Sequence, residues 1–258
     1  MHRPPAVRLI VTLSAAFLLA AAACSAGGPE HSRPAPASPA PARSPAAVPS
    51  PGATAALTED QAHAALITPS DLGEPWVPTQ GAATWRDELL KSTAERPDCR
   101  RLLDVLYTER LFGAARGPHA VTALDDGDDE AQLRYQVIGR PAADADRTLA
   151  WLRSLPRTCG RFTAVSPRGD RRGVRVTETP LPGAGDARQG LRVVVSGERA
   201  DGEPAVLTLD VAAVRVGEDA IGVTDGGLGE VPAEALWTAV ELGAQRLTEL
   251  RRRGRVQV

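Results

Sequence analysis

Apolar positions along this chain change their period several times, and each change predicts a different element. Thr58 followed by Glu59, Asp60 and Gln61 has the form of an N-cap with acids in the first turn. Ala62, Ala65 and Leu66 then share one helical face, and the run Thr68-Pro69-Ser70-Asp71-Leu72-Gly73 closes that helix. The stretch holding Trp76 and Trp85 has breakers and no period, so a loop is expected. Pro97-Asp98 opens a second helix in which Cys99, Leu102, Leu103 and Leu106 recur at spacings of three and four, with Cys99 on the buried side. Residues 119–124 and 131–138 predict two strands. In the second, Leu133, Tyr135 and Val137 alternate with Gln132, Arg134 and Gln136, giving one buried and one wet face. The acidic run from Asp125 to Glu130 is expected as a solvated turn between them. A helix over residues 141–155 carries Ala145, Leu149 and Leu152 on one stripe, with Trp151 beside Leu155; it is expected to stop at Pro156, leaving Cys159 in a loop.

The remainder predicts mainly strands, over 162–165, 173–179, 191–197, 205–216 and 220–224. Pro182-Gly183, Asp201-Gly202 and Gly217-Glu218-Asp219 separate them, and connections this short favour antiparallel neighbours. Gly226-Gly227-Leu228-Gly229 is expected as the turn into a last helix that starts at Pro232. There Leu236, Val240, Gly243, Leu247 and Leu250 mark a stripe that should lie on the sheet. The pattern is that of the α+β class: an antiparallel sheet of five to seven strands packed by several helices, in one domain over residues 58–252 with a tail at 253–258.

The first 57 residues belong to a different regime. His2, Arg3 and Arg8 precede a fifteen-residue apolar run, residues 9–23, interrupted only by Thr12 and Ser14. A membrane-spanning helix needs about 20 residues, so the segment reads as a cleaved secretory signal over 1–23, with an uncleaved anchor as the alternative. Ala21-Ala22-Ala23-Cys24-Ser25 resembles a bacterial lipobox, in which Cys24 would carry the lipid. The family pattern prefers Leu where this chain has Ala21, and an ordinary cut after Ala-x-Ala would leave Cys24 bare. Two or more acyl chains anchor stably, whereas one binds marginally. Eight prolines and no aromatic residue lie between Ser25 and Ala56. Such a segment buries too little apolar surface to offset its ordering entropy, so residues 24–57 are expected as a disordered, extended spacer.

Charge and cysteine usage narrow the function classes. Loss of Arg3 and Arg8 with the signal leaves 28 basic against 32 acidic residues, a net −4. Nucleic acid is therefore not an expected partner, since counterion release needs a concentrated basic face. With Cys24 lipidated, Cys99 and Cys159 remain, and an even pair in an exported chain reads as a disulfide; buried thiols are the alternative. Two cysteines without neighbouring histidines do not complete a metal site, and no cofactor is expected.

Catalytic motifs do not emerge. The chain has no Gly-x-Ser-x-Gly elbow and no His-Glu-x-x-His, and its sole lysine, Lys91, follows Glu88 by three residues where a Ser-x-x-Lys hydrolase needs serine. His31, His63 and His119 are scattered. Asp125 to Glu130 departs from the calcium-loop pattern, and Arg168-Gly169-Asp170 is a chance tripeptide in an arginine-rich chain. Arg251, Arg252, Arg253 and Arg255 are expected as a solvated helix end that complements the helix dipole. Trp76 and Trp85, in a breaker-rich stretch, are candidate ligand-binding aromatics; both could equally be lids on the core.

The order of these features resembles a known family. A lipobox, a Pro/Ala/Ser spacer, the helix end Leu66-Ile67-Thr68-Pro69-Ser70-Asp71-Leu72-Gly73, then Cys99, a strand pair, a helix with Trp151 and Cys159, and a run of strands before a long helix resemble the extracellular sensor domain of the PknH-type kinases. Stand-alone actinobacterial lipoproteins share that domain. The resemblance spans residues 58–252 and implies a cleft on an antiparallel sheet that binds an unidentified ligand. The family form has two disulfides; this chain has cysteines for one. Three readings follow: a membrane-anchored, extracytoplasmic ligand-binding or sensing module; an envelope scaffold that engages proteins through a sheet edge or the arginine-rich C-terminus; and a carboxylate-dependent hydrolase. The first is the leading expectation, with the membrane as partner through the lipid and a small extracellular ligand or an envelope protein as the other.

Overall fold

The computed structural model describes residues 57–127, 130–199 and 201–256. The expected signal, Cys24 and the spacer up to residue 56 lie outside the described residues. Within these, eight strands and five α-helices follow in the order α1 (Glu59–Ala64), α2 (Pro69–Leu72), β1 (Trp76–Pro78), α3 (Pro97–Tyr107), β2 (His119–Asp126), β3 (Ala131–Gly139), α4 (Ala142–Thr158), β4 (Arg161–Val165), β5 (Arg171–Glu178), β6 (Ala187–Glu198), β7 (Pro204–Val216), β8 (Asp219–Leu228) and α5 (Glu234–Val256), with a π-helical turn at Arg86–Leu90. The fold is α+β, one antiparallel sheet in the order β1-β2-β3-β8-β7-β6-β5-β4. Its two edges are β1 and β4. None of the described helices is long and apolar enough to cross a membrane.

Alternation along the strands sends side chains to two separate cores. Leu133, Tyr135 and Val137 of β3, Ala212 and Val214 of β7, and Ile221 and Val223 of β8 point to the face covered by α1 and α5. Leu207, Leu209, Val211 and Ala213 of β7, with Leu191, Val193 and Val195 of β6, point to the face covered by the π turn, α3 and α4. The central strands are thus buried on both sides, as near-continuous apolar runs require. On the first face Tyr135 donates a hydrogen bond to the Ala65 carbonyl (3.2 Å), and burial raises its phenol well above the usual value. α5 crosses it at Gly243, where a Cβ would stand 2.1 Å from the Tyr135 hydroxyl. Glycine there is a close-approach residue.

The sequence-based expectations need correction at several places. The strand count is eight. Thr58 does cap α1, accepting from the Gln61 N–H (3.2 Å) while Gln61 accepts from the Thr58 N–H (3.0 Å). The helix ends at Ala64, however, and Pro69 starts a turn of its own, because proline fits the first helical position where no N–H is needed. α4 runs through Pro156 to Thr158; so near the end proline forfeits one bond, and the Cys159 N–H still reaches the Leu155 carbonyl (2.6 Å). Gly226, Gly227 and Leu228 belong to β8, and only Gly229 takes the left-handed turn, at φ 85°. Asp126 is buried at the end of β2 instead of solvated. Arg251 is not a free helix end: its Nε lies 2.6 Å from the fully buried Asp219.

Candidate binding site

A groove of about 610 Å³ lies beside the terminal strand β4. Ligand pockets occupy roughly 300–1,000 Å³. Phe162, Thr163, Val165 and Arg171 form the sheet side, and the segment from Thr93 to Arg96, with Arg100, forms the opposite wall. Thr93 is held to the strand by a short antiparallel bridge, its N–H to the Val165 carbonyl (2.9 Å) and the Val165 N–H to its carbonyl (2.8 Å). Arg100 secures the same wall by donating to the carbonyls of Ala94 (2.9 Å) and Glu95 (2.9 Å). Arg96 reaches across it, donating to the carbonyls of Thr158 and Arg161.

The covalent link lies at the same place. Cys99 sits in the first turns of α3, on the face that also buries Leu102, Leu103 and Leu106. Cys159 caps α4 two residues before β4 begins. The two form a disulfide with Cα atoms 5.6 Å apart. The bond therefore ties the helix that carries Arg100, with Arg96 at its N-cap, to the chain entering the strand that carries Phe162 and Thr163. Both walls of the groove are clipped together from below.

The charge of the groove is one-sided. Arg96, Arg100 and Arg171 line it against a single acid, Glu95. Arg161 and Arg175 stand directly opposite each other across β4 and β5, both exposed. Like charges in that register repel unless something else neutralises them. Arg172, one residue on from Arg171, is fully buried beneath; burial lowers its pKa, and it donates to the Ser92 hydroxyl (3.3 Å).

Trp85 and Trp76 are placed apart. Trp85 is buried in the core under α3 and α4, stacked over Gly226, where a Cβ would meet its ring at 3.1 Å. Around it Arg86 and Arg134 share the Glu109 carboxylate, the latter at 2.7 Å, and burial lowers both guanidinium pKa values. The cavity left at this point on the sheet face holds about 20 Å³, space for about one water. Trp76 lies on the far edge strand and packs against the α5-side core. The structure does not bring the two indoles into one site.

A buried acidic row crosses the α5-side face. Asp210 of β7 lies opposite Asp225 of β8. Arg192 forks onto Asp210 with Nε to Oδ1 at 2.8 Å and Nη2 to Oδ2 at 2.6 Å. Among the described residues no cation forks onto Asp225 in this way; burial, then the charges of Asp210 and Asp126, push its pKa up to about 8. Among the described residues no group of three or more His, Cys, Asp or Glu side chains is arranged to hold a metal ion.

No known family's sequence profile matches the chain, and no curated protein matches it. Among solved structures it is similar to the extracellular domain of PknH from Mycobacterium tuberculosis, at 14% identity and a TM-score of 0.45, over 76% of this chain and 99% of that one. That is a distant likeness of fold.

Proposed function

We propose that the chain is an extracytoplasmic binding or sensing module, tethered to the membrane through a lipid on Cys24, and that it works by holding a ligand in the β4 groove without catalysis. One observation carries this reading: the disulfide joins the two walls of the groove. Disulfides persist in oxidising compartments and are rare in the cytosol, so a groove that depends on one belongs outside the cell. A site fixed before the ligand arrives also spends less binding free energy on ordering.

Two measurements test it. Intact mass of the membrane fraction should show a chain that begins at Cys24 and carries diacylglycerol; an unmodified chain beginning elsewhere removes the tether. Mass spectrometry of molecules that co-purify with the full chain should show a species lost from the Phe162→Ala, Arg171→Glu double variant. Identical profiles for the two proteins would contradict binding in the groove.

A further inference from the structure

Resting on that reading of the groove, we propose that its ligand carries a phosphoryl group, which binds on the open face of the sheet above Gly173, ringed by Arg161, Arg171, Arg175, Thr163 and Ser196. The period of two puts Arg161, Thr163 and Val165 of β4, Arg171, Gly173 and Arg175 of β5, and Ser196 of β6 on one side of the sheet, and all are exposed. α5 lies on that side over β3, β8 and β7 and leaves this corner open. Gly173 is its centre in register: Thr163 stands opposite it on β4 and Ser196 opposite it on β6. Arg171 and Arg175 flank it along β5, each two residues or about 7 Å away, and Arg161 is the cross-strand neighbour of Arg175. A Cβ at residue 173 would meet nothing within 4 Å. The glycine thus leaves a bare floor inside a rim of guanidiniums and hydroxyls.

That rim lacks its counter-charge. Among the described residues no carboxylate pairs with Arg161, Arg171 or Arg175. Asp170, in the adjoining turn, is taken by Arg168 (3.7 Å) and by the Ser166 hydroxyl, which donates to it at 2.8 Å. Arg161 and Arg175 are opposed at a cost that an anion between them would cancel. A phosphoryl group suits this rim better than a carboxylate: it brings close to two charges and three acceptor oxygens, and guanidinium forks match it. The rest of the ligand has a place as well. Thr163 and Arg171 belong both to the rim and to the lining of the groove, so a molecule anchored over Gly173 continues into it. There half-buried Phe162 offers an apolar surface, while Arg96 and Arg100 are already bound to main-chain carbonyls. The open face therefore takes the anion and the groove the uncharged body. Exposed Glu198, two residues beyond Ser196 on β6, bounds the rim, which fits a single group and not a broad anionic surface.

The test is isothermal titration calorimetry of the full chain in detergent with phenyl phosphate, an aromatic body on a phosphoryl group. Saturable binding at one site is expected, tighter than for inorganic phosphate or for benzoate. Arg161→Ala with Arg175→Ala should weaken it by about tenfold or more, the worth of a charged hydrogen bond, and leave the melting temperature at or above that of the parent because a like-charge pair is removed. Gly173→Val should abolish binding by filling the floor, again without loss of stability, since a β-branched residue suits an exposed strand position. Phe162→Ala should reduce phenyl phosphate to the level of inorganic phosphate. Equal binding by the Gly173→Val variant would overturn the site and leave only a diffuse cationic patch, and benzoate bound as tightly would overturn the choice of a phosphoryl group. Binding of phosphatidylglycerol vesicles by the Cys24→Ser chain, without binding of phenyl phosphate, would give the face to a membrane surface and overturn the proposal. No binding of phenyl phosphate, while a co-purifying molecule is still lost from the Phe162→Ala, Arg171→Glu variant, would overturn the phosphoryl ligand and keep the groove. Absence of both signals would remove the groove as well.

Discussion

The two faces of the sheet are held by different means. On the α5 side a 23-residue helix lies across β7, β8 and β3 with Leu236, Val240 and Leu247 buried, and its backbone closes on Tyr135 at Gly243. Among the described residues no covalent bond crosses that face; packing fixes it together with ion pairs such as Arg192 with Asp210 and Arg251 with Asp219. On the other side α3 and α4 are shorter, and a covalent bond supplements their packing. The groove lies at the edge of the sheet, between β4 and the segment that leads into α3. The difference places the molecule's one disulfide among the described residues beside the groove at β4, so the geometry of that region, unlike the α5 side, is tied to oxidation.

The largest expected effect separates the faces most sharply. Reducing the Cys99–Cys159 bond, which closes a loop with a sequence separation of 60, should cost about 4 kcal/mol on a chain-entropy model and lower Tm in calorimetry by several degrees. An unchanged Tm would mean that the bond contributes nothing to the fold. Next, Leu152→Ala on α4 and Leu247→Ala on α5, both fully buried, should each cost about 2–5 kcal/mol in denaturant unfolding. In reduced protein the Leu152→Ala loss should differ from its value in oxidised protein, while that of Leu247→Ala stays the same, because only residues sharing one packed unit couple. Equal shifts at both would erase the distinction between the faces.

The buried acids add a pH dependence to the α5 side. Asp225 titrates near 8 in the folded chain, against about 3.9 when unfolded. The folded state therefore holds a proton that the unfolded chain lacks between those values, so stability from this group is complete below pH 4 and is lost as pH rises through 8. Asp225→Asn should remove that slope and raise Tm at pH 8 by a few degrees; parallel pH profiles for parent and variant would refute it. The smallest effect is expected at the first helix: Thr58→Ala should cost about 1 kcal/mol by removing the N-cap, measured by the same unfolding curves.

Much of this architecture was legible from side-chain period. The alternation in β3 and the stripe on α5 each announced which residues would be buried, because both elements have one dominant partner surface. Elements shaped by tertiary contact were not legible. β1 is three residues long and exists because Val77 and Pro78 register against Asp125 and Leu124. The π turn forms where Trp85 enters over Gly226, and that glycine lies about 140 residues away in sequence. Pro156 misled because its rule concerns helix interiors, whereas the last turn tolerates it.

The cysteine pair was readable and the groove was not. Nothing in the local pattern of Thr93 or Thr163 signals that one bridges the strand and the other faces a cavity; both follow from which strand ends the sheet. Arginines at residues 161, 171 and 175 look like ordinary surface charge until register sets two of them opposite each other. Trp76 and Trp85, the conspicuous candidates, differ for the same reason: one lies on an edge strand and the other beneath helices, a distinction that sequence proximity hides.

Site-resolved amide hydrogen exchange of the full chain, oxidised and reduced, tests the central claim most directly. The account predicts that reduction lowers protection at Thr93, along α3 and across β4, while β3, β8 and α5 keep theirs. Uniform loss over both faces, or no change beside β4, would contradict a groove held in place by its disulfide.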